Sequence, residues 1–354
     1  MTFYTRAHIA LATKVRAMTA TTLHKKDYDA MAELHSIPSV AGYLHDHTRY
    51  REALKDCAIA NLHRGKLEQL LRNQIQNDIR ALLHYTDIES AFFLKLLEAQ
   101  ESIEKLKLFL RLLHLGRPEQ ILEENVDVFV GKHHIKNTDL AQIKDFSTLI
   151  ELIRPTPFYR ALCSFHGDFS RQDSFYLEVA LDTYWAKLVK QYTTKYLSGK
   201  DAKAALRIYG TEFDLENLVF LLRCKKRFAM SHEEIYACMI PYQHRLRKET
   251  ITHIVTSPSL EAAHKAICEE TPYTKAFSAN DRFYEMRKNE YLYSLYQRML
   301  TTHPYSVISA ICYVHLRRLE INNIVSLIEG IRYGHNPKEI KSTLIGYSSG
   351  GEST

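Results

Sequence analysis

Helix breakers are scarce in this chain. Its 354 residues hold 12 glycines and 9 prolines, about half of the usual combined share of roughly 12%. So few breakers exclude a turn-rich sheet protein and predict long, uninterrupted helices. Strand-type alternation of β-branched residues is nearly absent. The six cysteines, Cys57, Cys163, Cys224, Cys238, Cys268 and Cys312, include no C-x-x-C pair. A chain of this length buries a core without staples, so they read as reduced, mostly buried thiols of a cytoplasmic protein. Long apolar runs are also missing. Spanning a bilayer takes about 18 consecutive apolar residues, and runs such as Ile311-Cys312-Tyr313-Val314 stop far short. No membrane crossing is expected, and any membrane role passes through a partner. Met1-Thr2-Phe3-Tyr4-Thr5-Arg6 lacks the apolar core of a signal peptide, so none is expected.

The usual signatures of chemistry are absent as well. A phosphate-binding loop needs Gly, four residues, then Gly-Lys-Ser/Thr. Gly199-Lys200 is followed by Asp201, and position 194 is Thr. Gly346-Tyr347-Ser348-Ser349-Gly350 has the letters of a hydrolase elbow, but an acid and a His must follow it in the chain. Only Glu352 follows, so residues 346–354 are expected to be a small, polar, flexible tail. Among the 18 His, His133-His134 splay apart and His45 and His47 are two apart on a predicted helix. Neither makes a zinc set. Glu233-Glu234 is explained below by capping. No catalytic, cofactor-binding or metal-binding residue is therefore expected.

What is present is ordinary globular composition, 45% apolar and 25% charged, in a length that suits two or three domains. The formal charge of +6 is concentrated. Between Asn217 and Thr250 lie Arg223, Lys225, Lys226, Arg227, Arg245, Arg247 and Lys248 against Glu233, Glu234 and Glu249. Such a stretch is either a solvated helix face or a patch for nucleic acid, acidic lipid or an acidic protein. Helical periodicity dominates, as in the stripe Leu67, Leu71, Ile75, Ile79, Leu82. Another helix is expected over about 281–300.

The chain also repeats itself. Three segments share an aliphatic residue, Thr four later, an aromatic two beyond, then Ala and an apolar residue. They are Leu44…Thr48-Arg49-Tyr50, Leu152…Thr156-Pro157-Phe158 and Ile267…Thr271-Pro272-Tyr273. The pattern predicts a helix end, a Thr cap accepting from the next helix, and an inward aromatic. A second signature trails each. Gly116-Arg117-Pro118 and Gly334-His335-Asn336-Pro337 predict a glycine-ended helix followed by a proline-started one, with Asn336 and Glu339 capping the latter. The middle copy instead has Ser231 and Glu234 as a capping box. Three related helical units follow, at 1–130, 131–240 and 241–345. A period near 110 residues is too long for simple solenoid hairpins, and three copies can close into a pseudo-three-fold body with an axial opening.

These features resemble the C subunit of bacterial and archaeal V-type (A-type) ATPases, whose vacuolar counterpart is the d subunit. The resemblance covers nearly the whole chain. It rests on Lys14-Val15-Arg16-Ala17-Met18, Lys26-Asp27-Tyr28, the three Thr-x-aromatic segments, and two acid-x-x-Asn helices, Asp214-Leu215-Glu216-Asn217 and Glu320-Ile321-Asn322-Asn323. The first unit departs from the pattern with Glu101-Ser102-Ile103-Glu104, and the middle unit lacks the Gly-Pro turn. The resemblance implies an all-α funnel of three similar domains without catalysis or cofactor. It implies a central-stalk subunit on the cytoplasmic face of the membrane. That protein joins axle subunits of the D and F type to the proteolipid ring and couples ATP turnover to proton or sodium transport, with no nucleic-acid partner.

Acid and Asn at i and i+3 share a helix face. If that face lines the opening, Asp214, Asn217, Glu320 and Asn323 offer contacts to an inserted axle; otherwise they pair or cap helices. Arg223, Lys226 and Arg227 are further candidates for meeting acidic axle residues. The alternatives are a helical scaffold or adaptor, and a nucleic-acid binder using the basic stretch.

Overall fold

The computed structural model describes residues 3–123, 128–130, 133–163, 171–227, 230–277 and 283–347. The described secondary structure is helical, except for a ribbon pairing Val128–Val130 antiparallel with His133–Ile135. Scarcity of breakers thus leads to the expected all-α architecture. The ribbon escaped notice because strands of three residues are too short to show alternation.

The chain packs as two compact units, residues 1–94 with 285–354, and residues 95–284. In the first, the Val307–Arg332 helix is buried nearly all round, from Ile308 and Ala310 to Leu327 and Ile328. Ser306 starts it, its hydroxyl accepting from the Ile308 N–H at 3.1 Å. The Arg64–Leu83 helix packs against it. Its stripe Leu67, Leu71, Ile75, Ile79 and Leu82 is nowhere more than 1% exposed. At about 1.5–3 kcal/mol for each large aliphatic side chain, the stripe contributes on the order of 10 kcal/mol before conformational entropy opposes it. The Phe3–Thr19 helix completes that side of the core.

The second unit is built on the Arg171–Tyr196 and Gly199–Arg227 helices, which pack on each other. Trp185 of one stands edge-on to Tyr209 of the other, ring centres 5.9 Å apart. The Ile88–His114 helix contributes its later turns. There Arg111 pairs with Glu178 and Lys107 with Asp182.

Contacts reveal what the repeat builds. In the second unit, Gly199–Arg227 is followed by His232–Cys238, Lys248–Thr256, Leu260–Glu270, Thr271 and Thr274–Phe277. His232–Cys238 packs on Lys248–Thr256, and Gly199–Arg227 packs on Leu260–Glu270. In the first unit, Val307–Arg332 is followed by Pro337–Ser342. The matching partners then come from the other end of the chain, Lys25–Ala32, Ile37–His47, Thr48 and Arg51–Leu54. Pro337–Ser342 packs on Lys25–Ala32, and Val307–Arg332 packs on Ile37–His47. A third group has the same order: Ile88–His114, Pro118–Glu123, Asn137–Ala141, Phe146–Ile153, Thr156 and Tyr159–Leu162. Here too Pro118–Glu123 packs on Asn137–Ala141. The three groups thus share one order of elements among the described residues. Each begins at a long helix, and residues 25–54 complete the last.

Candidate functional site

The repeated turns have the geometry their residues require. Thr48 and Thr271 follow helices Ile37–His47 and Leu260–Glu270 as extended residues. Each hydroxyl donates back to the carbonyl four residues earlier, Thr48 to Leu44 at 2.5 Å and Thr271 to Ile267 at 2.7 Å. Each also accepts from the N–H of the aromatic, Tyr50 and Tyr273, at 3.2 Å. Thr is thus both the end of one helix and the support of the next turn, and it fixes the aromatic inward. Thr156 donates instead to Ile153, at 2.7 Å. Gly116 (φ 68°) and Gly334 (φ 71°) end their helices in the left-handed region. The Arg117 N–H reaches the Leu112 carbonyl and the His335 N–H reaches the Gly330 carbonyl, both at 2.9 Å. This is the six-to-one closure of a glycine-ended helix. The expected boxes form at Ser231/Glu234 and Asn336/Glu339.

These turns deliver groups to the two acid-x-x-Asn helices. Asn217 grips Ile240 with both ends of its amide: its Oδ1 accepts from the Ile240 N–H at 2.9 Å and its Nδ2 donates to the Ile240 carbonyl at 3.0 Å. Asn323 grips Ile345 in the same way, at 2.8 Å for both bonds. A side-chain amide thereby stands in for a neighbouring strand, satisfying a backbone N–H and C=O that leave the short helix unpaired. One turn earlier sits the acid. Asp214 accepts from the Tyr273 hydroxyl at 2.5 Å and from the N–H groups of His244 and Arg245 at 2.9 and 2.7 Å. Glu320 accepts from the Tyr50 hydroxyl and the Leu23 N–H, both at 2.9 Å. Each acid thus captures the aromatic of a Thr-x-Tyr segment, and each Asn captures the chain returning from the helical hairpin. Close approach is built in at Gly210, where a Cβ would stand 2.6 Å from the His244 Cβ.

The clasps differ in how charge is balanced. Asp214 is 0% exposed, and all three of its donors are neutral. Glu320 has Arg317 beside it, itself 0% exposed, bonded to it and lying over the Tyr50 ring at 4.9 Å. Arg317 also donates to Asp78 at 3.3 Å. Asp78 in turn accepts from Arg49 at 2.5 Å and from the Tyr313 hydroxyl at 2.8 Å. Two guanidinium groups face two carboxylates, so the first unit encloses a neutral set of charges. Burial by itself lowers the Arg317 guanidinium, but the phenols and carboxylates around it outweigh that and raise it well above its ordinary value. Burial, reinforced by Glu320 against the opposing Arg317, pushes the Tyr50 phenol well up.

Asp214, Asn217, Glu320 and Asn323 therefore meet partners within their own units. Arg223 is exposed on the Gly199–Arg227 helix, whereas the side chains of Lys226 and Arg227 lie outside the described residues. Of the basic stretch, Lys225 is turned inward, donating to the carbonyls of Val255 and Ser257 at 2.6 Å each. Gly346 and Tyr347, placed in the tail by sequence, are held instead. The Gly346 N–H donates to Glu290 at 2.8 Å and the Tyr347 hydroxyl to Asp29 at 2.6 Å. Ser348 to Gly350 of the elbow-like letters lie outside the described residues. Among the described residues, no cluster of three or more His, Cys, Asp or Glu is arranged to hold a metal. No described helix is long and apolar enough to cross a membrane.

Sequence reasoning missed Arg49, Asp78, Tyr313 and Arg317. One signal was available: Asp78 breaks the apolar stripe between Ile75 and Ile79, and an acid on a core face asks for a buried cation.

The family model for the ATP synthase (C/AC39) subunit matches residues 11–343. The C subunit of the A-type ATP synthase of Methanosarcina mazei is 22% identical over 94% of this chain and 91% of its own length. That of Methanosarcina barkeri is 22% identical with the same coverage. That of Methanocaldococcus jannaschii is 22% identical over 76% of this chain and 69% of its own. With nearly its whole length matched by that family model, the chain belongs to the ATP synthase (C/AC39) subunit family.

Proposed function

We propose that this chain is the non-catalytic coupling subunit of a V/A-type rotary ATPase. It sits peripherally on the cytoplasmic face of the membrane, joins D- and F-type axle subunits to the proteolipid ring, and turns with them. Family membership and the names of the methanogen relatives support this reading. The observation that carries it is the completion of the last packed group by residues 25–54 against Val307–Arg332. A chain whose two ends build one repeat together suits three modules closed in a pseudo-three-fold funnel, with an axial socket for the axle. Torque needs a body that does not shear, and close-packed helical interiors are stiff. In this reading the clasps serve coupling by locking each returning segment to its long helix. Axle contact falls to charged rim groups such as Arg223, with Lys226 and Arg227. Rim charges of that kind set orientation and association rate more than affinity. ATP turnover and ion choice belong to other subunits.

The test is purification of a tagged chain from detergent-solubilised membranes. The expected result is one copy travelling with a helical axle pair and a proteolipid ring. Recovery of the chain alone, or with salt-labile RNA in place of those partners, would overturn the proposal.

A further inference from the structure

A groove in the second unit is not used by the clasps. Its floor is one face of the Arg171–Tyr196 helix: Tyr176, Val179, Ala180, Thr183, Tyr184 and Leu188. Each of these is only half-buried. The cavity above them measures about 990 Å³. At Thr183 and Ala237 it continues into a second hollow of about 390 Å³, which Lys248 also lines. From Tyr176 to Gln191 the floor rises by about 1.5 Å per residue, giving a straight ridge of roughly 22 Å. The lining residues recur every three or four positions along it, the spacing that lets a second helix lie alongside.

Charge is sorted about this helix. Its acids Glu178 and Asp182 pair with Arg111 and Lys107 of the Ile88–His114 helix. No Asp or Glu lines either hollow, whereas Arg154, Arg160, Lys187 and Lys248 do. Arg154 is paired with Glu151. Arg160 and Lys187 are exposed and form no ion pair among the described residues. A half-apolar floor framed by uncompensated cations is complementary to a helix with one apolar face and carboxylates on its flanks.

We propose that this groove docks an acidic amphipathic helix of a partner protein. The inference stands apart from the coupling role, since it rests only on the shape and charge of residues 107–252.

The test uses the full chain and two synthetic helical peptides of about five turns. They share a Leu/Ala face and carry Glu or Lys on the other; binding is read by fluorescence anisotropy. The Glu peptide is expected to bind and the Lys peptide not to. The double variant Arg160→Glu/Lys187→Glu should weaken binding about tenfold, and raising salt to about 0.5 M should do the same by screening. Thr183→Trp, which fills the floor at unchanged charge, should abolish it. Circular dichroism confirms that the variants fold, as expected for exposed or half-exposed positions. Equal binding of both peptides, no binding of the Glu peptide, or binding indifferent to both variants would overturn the proposal. So would variant-sensitive binding to anionic vesicles without peptide binding, which would assign the groove to a lipid surface.

Discussion

The two clasps perform one task with different electrostatics. In residues 95–284, Asp214 is buried without a cation and relies on two backbone N–H groups and the Tyr273 hydroxyl. In the other unit, Glu320 is one methylene longer and shares its site with Arg317, which ties it to Asp78, Arg49 and Tyr313. A buried carboxylate is tolerable either when several donors converge on it or when a cation is buried with it. The first solution needs only local backbone placed by the turn. The second draws in four further side chains and makes each depend on the others. The difference therefore predicts unequal fragility.

The largest effect is expected from Arg317→Met. It leaves Asp78 and Glu320 facing one another with Arg49 alone to compensate, and breaking a buried ion pair on one side costs about 3–5 kcal/mol. Urea denaturation should show the loss, and an unchanged midpoint would mean that the network is solvated. Next come the amides. Asn323→Ala strands the N–H and C=O of the buried Ile345, costing about 2–3 kcal/mol, whereas Asn217→Ala should cost less because Ile240 is half-buried. Equal losses would erase the distinction between the units. A hydroxyl deletion sharpens it further. Tyr273→Phe removes one of three neutral donors and should cost about 1–2 kcal/mol, while Tyr50→Phe, with Arg317 still in place, should cost about half as much. The smallest effect is at a turn. Gly334 has open space around it, so Gly334→Val meets only the strain of a positive φ, about 1 kcal/mol or more.

Alkali tests the first unit without mutation. Burial raises the phenols of Tyr28, Tyr50 and Tyr313 above their ordinary value of 10.0. In the unfolded chain they ionise at that value and in the folded one they do not. Their contribution is therefore complete below pH 10 and is lost as pH rises beyond it. Phenolate absorbance should show these three titrating only when residues 1–94 with 285–354 unfold. Their early titration in the folded protein would show that the core is open to solvent.

The clasp is only partly legible in one dimension. Acid-x-x-Asn could be seen, as could the Thr-x-aromatic segments and the capping boxes. That Tyr50 belongs to Glu320, 270 residues away, could not. Local patterns carry no information about which distant copy of a segment will dock on a helix. The departure from acid-x-x-Asn at Glu101-Ser102-Ile103-Glu104 has a counterpart in the same group: the position eleven before Gly116 is Lys105, as Asn323 stands eleven before Gly334, and three before it stands Ser102. The aromatic of that group is Phe158, which has no hydroxyl for an acid to accept.

By itself the sequence determined the all-α class and the helix ends, because propensity, capping and glycine's positive φ act within a few residues. Only the tertiary structure decided that the last repeat borrows residues 25–54, that Asp214 and Glu320 turn inward, and that a cationic groove is left along the Arg171–Tyr196 helix. Burial and long-range hydrogen bonding set those outcomes, and both depend on which surfaces meet.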